Sequence, residues 1–126
     1  MVRLLRVGFV LALVLQVYLL YLEVPTPSDA ASIPHADKVV HAVIFAVPAA
    51  LGVLAGLRPW LVGLVLAMHA PVSEVVQHLW IPARTGDPGD VVADWVGVAL
   101  GLAIGRLLVT RLASRSAARL EQGTGR

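Results

Sequence analysis

Residues 73–101, SEVVQHLWIPARTGDPGDVVADWVGVALG, join two apolar runs that are each long enough to cross a lipid bilayer. The loop between them is turn chemistry, with Pro82, Gly86, Pro88 and Gly89. Glu74 and Asp94 lie inside the apolar runs and not in that loop. An ionised carboxylate one turn or more inside a bilayer costs about 2–4 kcal/mol on insertion scales. A chain retains such groups only where partners or a task offset that cost, so function is sought in this stretch.

Composition supports a membrane chain. Of 126 residues, 58% are hydrophobic and only 14% charged, against about a quarter charged in soluble domains. The mean hydropathy is +0.82. The length allows one unit and no second domain. There is no cysteine, which excludes disulfides and thiolate chemistry. A pI near 9.7 raises nucleic acid as a partner. The arginines, however, flank apolar runs and do not form an aromatic-interleaved patch, so nucleic acid is set aside.

The expected fold class is an all-α membrane protein, a four-helix bundle. Its helices fall at about residues 4–22, 37–56, 60–80 and 91–112. At about 1.5 Å per residue each spans the ~30 Å hydrocarbon core. The first run competes with a cleaved signal peptide, Ser28-Asp29-Ala30 being a passable cleavage site; its length favours a retained helix. Residues 23–36, rich in Pro, Ser and Ala, form an extended loop. Leu57-Arg58-Pro59 makes a tight turn, with Pro59 suited to the first helical position. Pro71 removes the hydrogen bond to the Ala67 carbonyl and predicts a kink one turn before Glu74. Asp90 is placed as the N-cap of the last helix. The polar tail 113–126 is expected to fray or lie at the surface.

Lys and Arg segregate. Arg3, Arg6, Arg58, Arg106, Arg111, Arg115, Arg119 and Arg126 fall on one side, and Lys38 and Arg84 on the other. The positive-inside rule then puts both termini in the cytoplasm of a multi-pass inner or plasma membrane protein, with the acidic residues other than Glu121 on the outer half.

Helical stripes bring these residues together. Asp37, His41, Phe45, Pro48, Gly52 and Gly56 form one stripe, and Asp90, Asp94, Gly97, Gly101 and Gly105 another. Glu74, Gln77 and His78, at i, i+3 and i+4, share a face. The Gly97-x-x-x-Gly101-x-x-x-Gly105 spacing is a close-packing seam. Packing of the small residues predicts convergence of the polar ones above them in an outward-facing cup. In that cup His41, Glu74 and Asp94 are the candidate catalytic groups. Asp37, Lys38, Gln77, His78, Arg84 and Asp90 are candidates for binding substrate; metal and cofactor stay open. Plainer roles stand beside these: Asp37 and Asp90 as helix caps, Lys38 snorkelling to headgroups, Asp87 as turn chemistry and His69 as a packing histidine.

EVVQHLWIPAR (74–84) followed by DVVADWVGVALG (90–101) resembles the signature of the VanZ-like membrane proteins. DKVVHAVIF (37–45) resembles that family's Asp-Lys-x-x-His-x-x-x-Phe motif, and the pieces occur in family order. Asp94 departs from the pattern, standing where many relatives carry Asn. The resemblance implies a small multi-helix membrane protein, and some relatives are associated with resistance to the glycopeptide teicoplanin. Three functions remain in play: transfer or hydrolysis on a membrane lipid or lipid-linked wall precursor, binding of such a lipid without turnover or scaffolding by a structural cluster, and proton or ion passage. Passage ranks last because no polar residue lies between Gly97 and Gly105 or between Phe45 and Gly56.

Overall fold

A computed structural model of the chain describes residues 2–23, 35–81 and 86–124, with side chains as far as Arg119. Four helices make up the described residues: α1 (Val2–Tyr21), α2 (Ala36–Leu54), α3 (Pro59–Trp80) and α4 (Pro88–Thr124). All four are long and apolar enough to cross a membrane. Their outward faces agree with that. α1 buries only Gln16 and Leu20 while exposing Val7, Val10, Leu11, Val14 and Leu15. A helix apolar all round needs an apolar surrounding on the faces its neighbours do not cover.

The core holds Leu20, Phe45, Ala49, Val62, Leu66, Ala70 and Val98. The tightest approach is between α2 and α4. A Cβ added at Gly97 would lie 2.1 Å from the Ala42 carbonyl oxygen, and one at Gly101 2.2 Å from that of Ala46. At Gly105 it would meet the Val53 Cβ at 2.8 Å. The glycine seam of α4 therefore lies directly on the backbone of α2, as the spacing predicts. Contacts this close supply the dispersion and Cα–H···O attraction that holds helices together where no hydrophobic effect acts between them.

Helix ends follow local chemistry. Gly56 has φ +83°, and the bonds Gly56 N–H to Val53 O (3.0 Å) and Leu57 N–H to Gly52 O (3.1 Å) close a Schellman cap on α2. α2 therefore stops at Leu54, two residues before the expected end. Arg58 is extended and Pro59 opens α3. Within α3, the Ala67 carbonyl freed by Pro71 accepts a hydrogen bond from the Trp95 indole N–H at 2.9 Å. α4 lends the donor that α3 lacks.

Two expectations are corrected in α4. It begins at Pro88, three residues early, and Asp90 sits in its first turn instead of capping it. It also continues unbroken to Thr124, so residues 113–124 are helical and not a frayed tail. No Gly or Pro interrupts residues 106–122, and Ala, Arg, Leu, Glu and Gln there are strong helix formers. Its 37 residues exceed the ~20 that cross a bilayer, so its final third extends beyond the bundle. The loop expected at 23–36, the Ser28-Asp29-Ala30 site and Arg84 lie largely or wholly outside the described residues.

Candidate functional site

One end of the bundle carries two polar layers. The upper layer is a clasp centred on Lys38, near the start of α2. Its ammonium donates to Asp87 Oδ2 at 2.6 Å and to Asp90 Oδ1 at 3.0 Å. Asp87 is the true cap of α4: its Oδ1 accepts the Gly89 N–H at 2.7 Å. Its own backbone N–H donates to Glu74 Oε2 at 3.0 Å. Asp87 thus ties α2, α3 and α4 together. The Lys38 ammonium first, and then the Gly89 N–H, favour its charged form and hold its carboxyl below the ordinary 3.8.

The lower layer is buried. His41, one turn below Lys38, brings Nδ1 within 3.0 Å of Asp94 Oδ1. The same nitrogen lies 3.9 Å from Glu74 Oε1, and Nε2 lies 3.9 Å from Asp90 Oδ2. Three carboxylates from two helices therefore surround one imidazole from a third. Asp94 is 0% exposed, Glu74 6% and His41 7%. Asp90 and Asp94, at i and i+4, present both carboxylates to α2, and the close approach at Gly97 sets their reach. Glu74 Oε1 and Asp94 Oδ2 have no hydrogen-bond partner among the described residues. Unpaired buried carboxylate oxygens are costly, and they single out these two atoms.

A third polar level lies nearby. The Tyr21 hydroxyl is 2.8 Å from His69 Nε2, and the His69 ring centroid is 5.7 Å from that of Phe45. His69 is engaged in packing and in anchoring α1, the plainer role given to it by sequence. Gln16 is buried, and its amide has no hydrogen-bond partner among the described residues.

The structure thus brings His41, Glu74, Asp90 and Asp94 into one space, with Lys38 above them. The other candidates fall elsewhere. Gln77 is buried, but its amide donates to the Leu20 carbonyl at 2.9 Å, closing the end of α1. His78 is exposed on the opposite flank of Glu74. Gln77 and His78 are about 100° apart around a helix, so a shared face on paper splits into two directions in the bundle. Asp37 is exposed, lies 3.7 Å from the Lys38 ammonium and stands at the outer edge beside Asp87 and Asp90. Arg84 lies outside the described residues. Lys38 is ion-paired and does not simply snorkel. Sequence reasoning missed Asp87, although Asp followed by Pro is a regular helix-start signal.

A groove of about 400 Å³ opens sideways between α3 and α4. Pro71, Val75 and Leu79 form one wall and Val91 and Pro88 the other; Glu74, His78, Gly86 and Asp87 line it too. Its tip is polar and its length apolar. Gly86 lets the chain cross α3 here, since a Cβ would come within 3.0 Å of the Glu74 carbonyl oxygen. Glu74 separates the groove from His41 and belongs to both. No family model, curated protein or solved structure matches the chain.

Proposed function

We propose that this is a multi-pass membrane protein, both termini cytoplasmic, that binds an envelope lipid in the α3–α4 groove and presents its headgroup to the His41–Glu74–Asp94 cluster. The observation that carries this reading is the shape and chemistry of the groove. Apolar walls of Pro71, Val75 and Val91 suit a prenyl or acyl chain, and the polar tip at Glu74, His78 and Asp87 suits a headgroup. All the arginines but Arg84 fall towards the opposite end, which by the positive-inside rule supports an outer-leaflet position for that tip. A lipid-linked wall precursor has both parts, and the resemblance to VanZ-like proteins is consistent with an effect on glycopeptide susceptibility.

Within the site the residues divide by role. His41 and Asp94 form a hydrogen-bonded pair able to hold or move a proton, in the way a carboxylate orients an imidazole in acid–base catalysis. Glu74 lines the groove as well as the buried cluster, so it would link a headgroup at the tip to His41. Lys38 and Asp87 are assigned to architecture, because each is already committed to partners on a neighbouring helix.

The test uses full-length protein in mild detergent with a long-chain polyprenyl phosphate. Melting temperature should rise with lipid in the wild type. Val75→Trp, at a half-exposed position on the groove wall, should fold normally and lose the response at least tenfold. Absence of any response in the wild type, or an equal response in both proteins, would refute the groove as the binding site. Release of phosphate or transfer of the headgroup by the wild type, but not by Glu74→Gln, separates modification from binding alone.

A further inference from the structure

We propose that the buried layer is a divalent-cation site, with His41, Glu74 and Asp90 as ligands and Asp94 bracing the imidazole; it rests on the reading of this cluster as the functional site. One donor atom from each of His41, Glu74 and Asp90 lies within 4.8 Å of the others. Small side-chain rotations bring such a set to the roughly 2.0–2.2 Å bonds of a first-row transition ion. All three residues are buried and come from three different helices, so the ion would sit between elements that the glycine seam already holds in register.

Two further observations point to a ligand beyond the acidic character of the cluster. Glu74 Oε1 and Asp94 Oδ2 are buried polar atoms without partners among the described residues. The Glu74 atom lies 3.9 Å from His41 Nδ1, too far for a hydrogen bond, and with Nδ1 held by Asp94 the two residues can share an ion only through Nε2. The second is the His41–Asp94 bond at 3.0 Å. A carboxylate holding Nδ1–H fixes the tautomer that leaves Nε2 free, the usual outer support of a metal-bound histidine. Nε2 then faces Asp90 Oδ2 at 3.9 Å. Lys38 occupies the other oxygen of Asp90, Oδ1, and its charge is shared with Asp87. Among the described residues no ammonium or guanidinium pairs with Glu74 or Asp94, since Lys38 is taken by Asp37, Asp87 and Asp90.

The donor set chooses among ions. One imidazole nitrogen with two carboxylates suits Zn²⁺ or Mn²⁺, whereas Ca²⁺ and Mg²⁺ favour all-oxygen sites. Such an ion would stand beside the groove tip, where an anionic headgroup arrives through Glu74.

The experiment uses chelator-treated, full-length protein in detergent without added lipid. Zn²⁺, Mn²⁺, Mg²⁺ and Ca²⁺ are titrated separately, followed by melting temperature and, for Mn²⁺, by electron paramagnetic resonance. Zn²⁺ or Mn²⁺ should bind saturably, one per chain, and raise the melting temperature. Glu74→Gln and Asp90→Asn should each weaken binding at least tenfold, and Asp94→Asn about 10–100-fold through the imidazole. Circular dichroism and monodispersity confirm that each variant is folded. Asp37→Asn, on the outer acidic trio with Asp87 and Asp90 in which Asp37 alone is exposed, should bind as the wild type does. No saturable binding by the wild type overturns the proposal. So does loss of binding in Asp37→Asn with retention in Glu74→Gln, because the ion then belongs to the outer trio of Asp37, Asp87 and Asp90. Because no lipid is added, metal binding can fail while the lipid response of the groove stands, or the reverse.

Discussion

Substituting Gly97 by Ala tests whether the helix seam sets the geometry of the site. The added Cβ would fall 2.1 Å from the Ala42 carbonyl oxygen, 2.8 Å from its carbonyl carbon and 2.9 Å from its Cα. These are backbone atoms and cannot swing aside. Ordinary contact begins at 3.4 Å, so α2 and α4 must separate locally by about 1.3 Å. Overpacking of this kind costs about 1–3 kcal/mol. His41 immediately precedes Ala42, and Asp94 lies one turn before Gly97. The same retreat therefore carries the His41–Asp94 pair from 3.0 Å towards 4 Å, past the limit of a hydrogen bond.

Thermal unfolding in detergent reads the stability, and Zn²⁺ or Mn²⁺ affinity or the polyprenyl phosphate response reads the site. Gly97→Ala should lose both. Gly8→Ala is the control: nothing lies within 4 Å of its added Cβ, and Ala is the better helix former by about 1 kcal/mol. It should melt at or above the wild-type temperature. Gly63→Ala falls between, since among the described residues its added Cβ meets only the movable Leu102 Cδ1, at 2.9 Å. A Gly97→Ala protein that melts like the wild type with its site intact would refute the seam as the element that sets the site.

Other expectations follow from single contacts. Trp95→Phe keeps the ring but leaves the Ala67 carbonyl without its indole donor, and should cost about 0.5–1.5 kcal/mol by thermal melting. Restoring an N–H with Pro71→Ala in the same chain should recover part of that loss. Asp87 stabilises the clasp fully above its ordinary 3.8 and progressively less as pH falls through its depressed folded value. Below about pH 4 the wild-type melting temperature should therefore fall more steeply than that of Asp87→Asn. A reporter fused after Arg126 should read as cytoplasmic; a periplasmic signal would reverse the proposed orientation.

Much of this arrangement is written locally. The Gly97, Gly101 and Gly105 spacing marks a seam because only one helical face carries it, and the structure packs that face on α2. His41, Asp90 and Asp94 stand on the small-residue stripes above the seam, so their convergence follows from helical periodicity. What periodicity cannot give is direction within a face. Gln77 and His78 both neighbour Glu74 on a helical wheel, yet one turns to α1 and the other to the exterior, because α1 and the groove occupy opposite flanks. Partnerships across helices were also unreadable: nothing in either segment alone says that Lys38 meets Asp87 or that Trp95 serves Ala67. The cap at Asp87 was legible but was placed three residues late. α4 runs beyond the expected 112 because the helix propensity of residues 113–124 outweighs their polarity.

The division between architecture and function can itself be tried. The clasp joins α2, α3 and α4 through Lys38 and Asp87, and the seam joins α2 to α4. If those two features suffice to hold the bundle, the His41–Asp94 pair is dispensable for folding. Replacing a buried polar pair by apolar residues of similar size is often neutral or stabilising, by about 1–4 kcal/mol, whereas removing one partner strands the other. His41→Leu with Asp94→Leu removes both ends of the 3.0 Å bond together with the unpaired Asp94 Oδ2. Glu74 stays to receive the Asp87 N–H. The double variant should therefore accumulate in membranes normally and melt at or above the wild-type temperature, yet lose transition-ion binding. Asp94→Leu alone should be less stable than the double variant, since His41 then keeps a buried Nδ1 without its partner. A double variant that fails to accumulate, while each conservative single variant folds, would show the pair to be structural and remove the ground for a functional cluster.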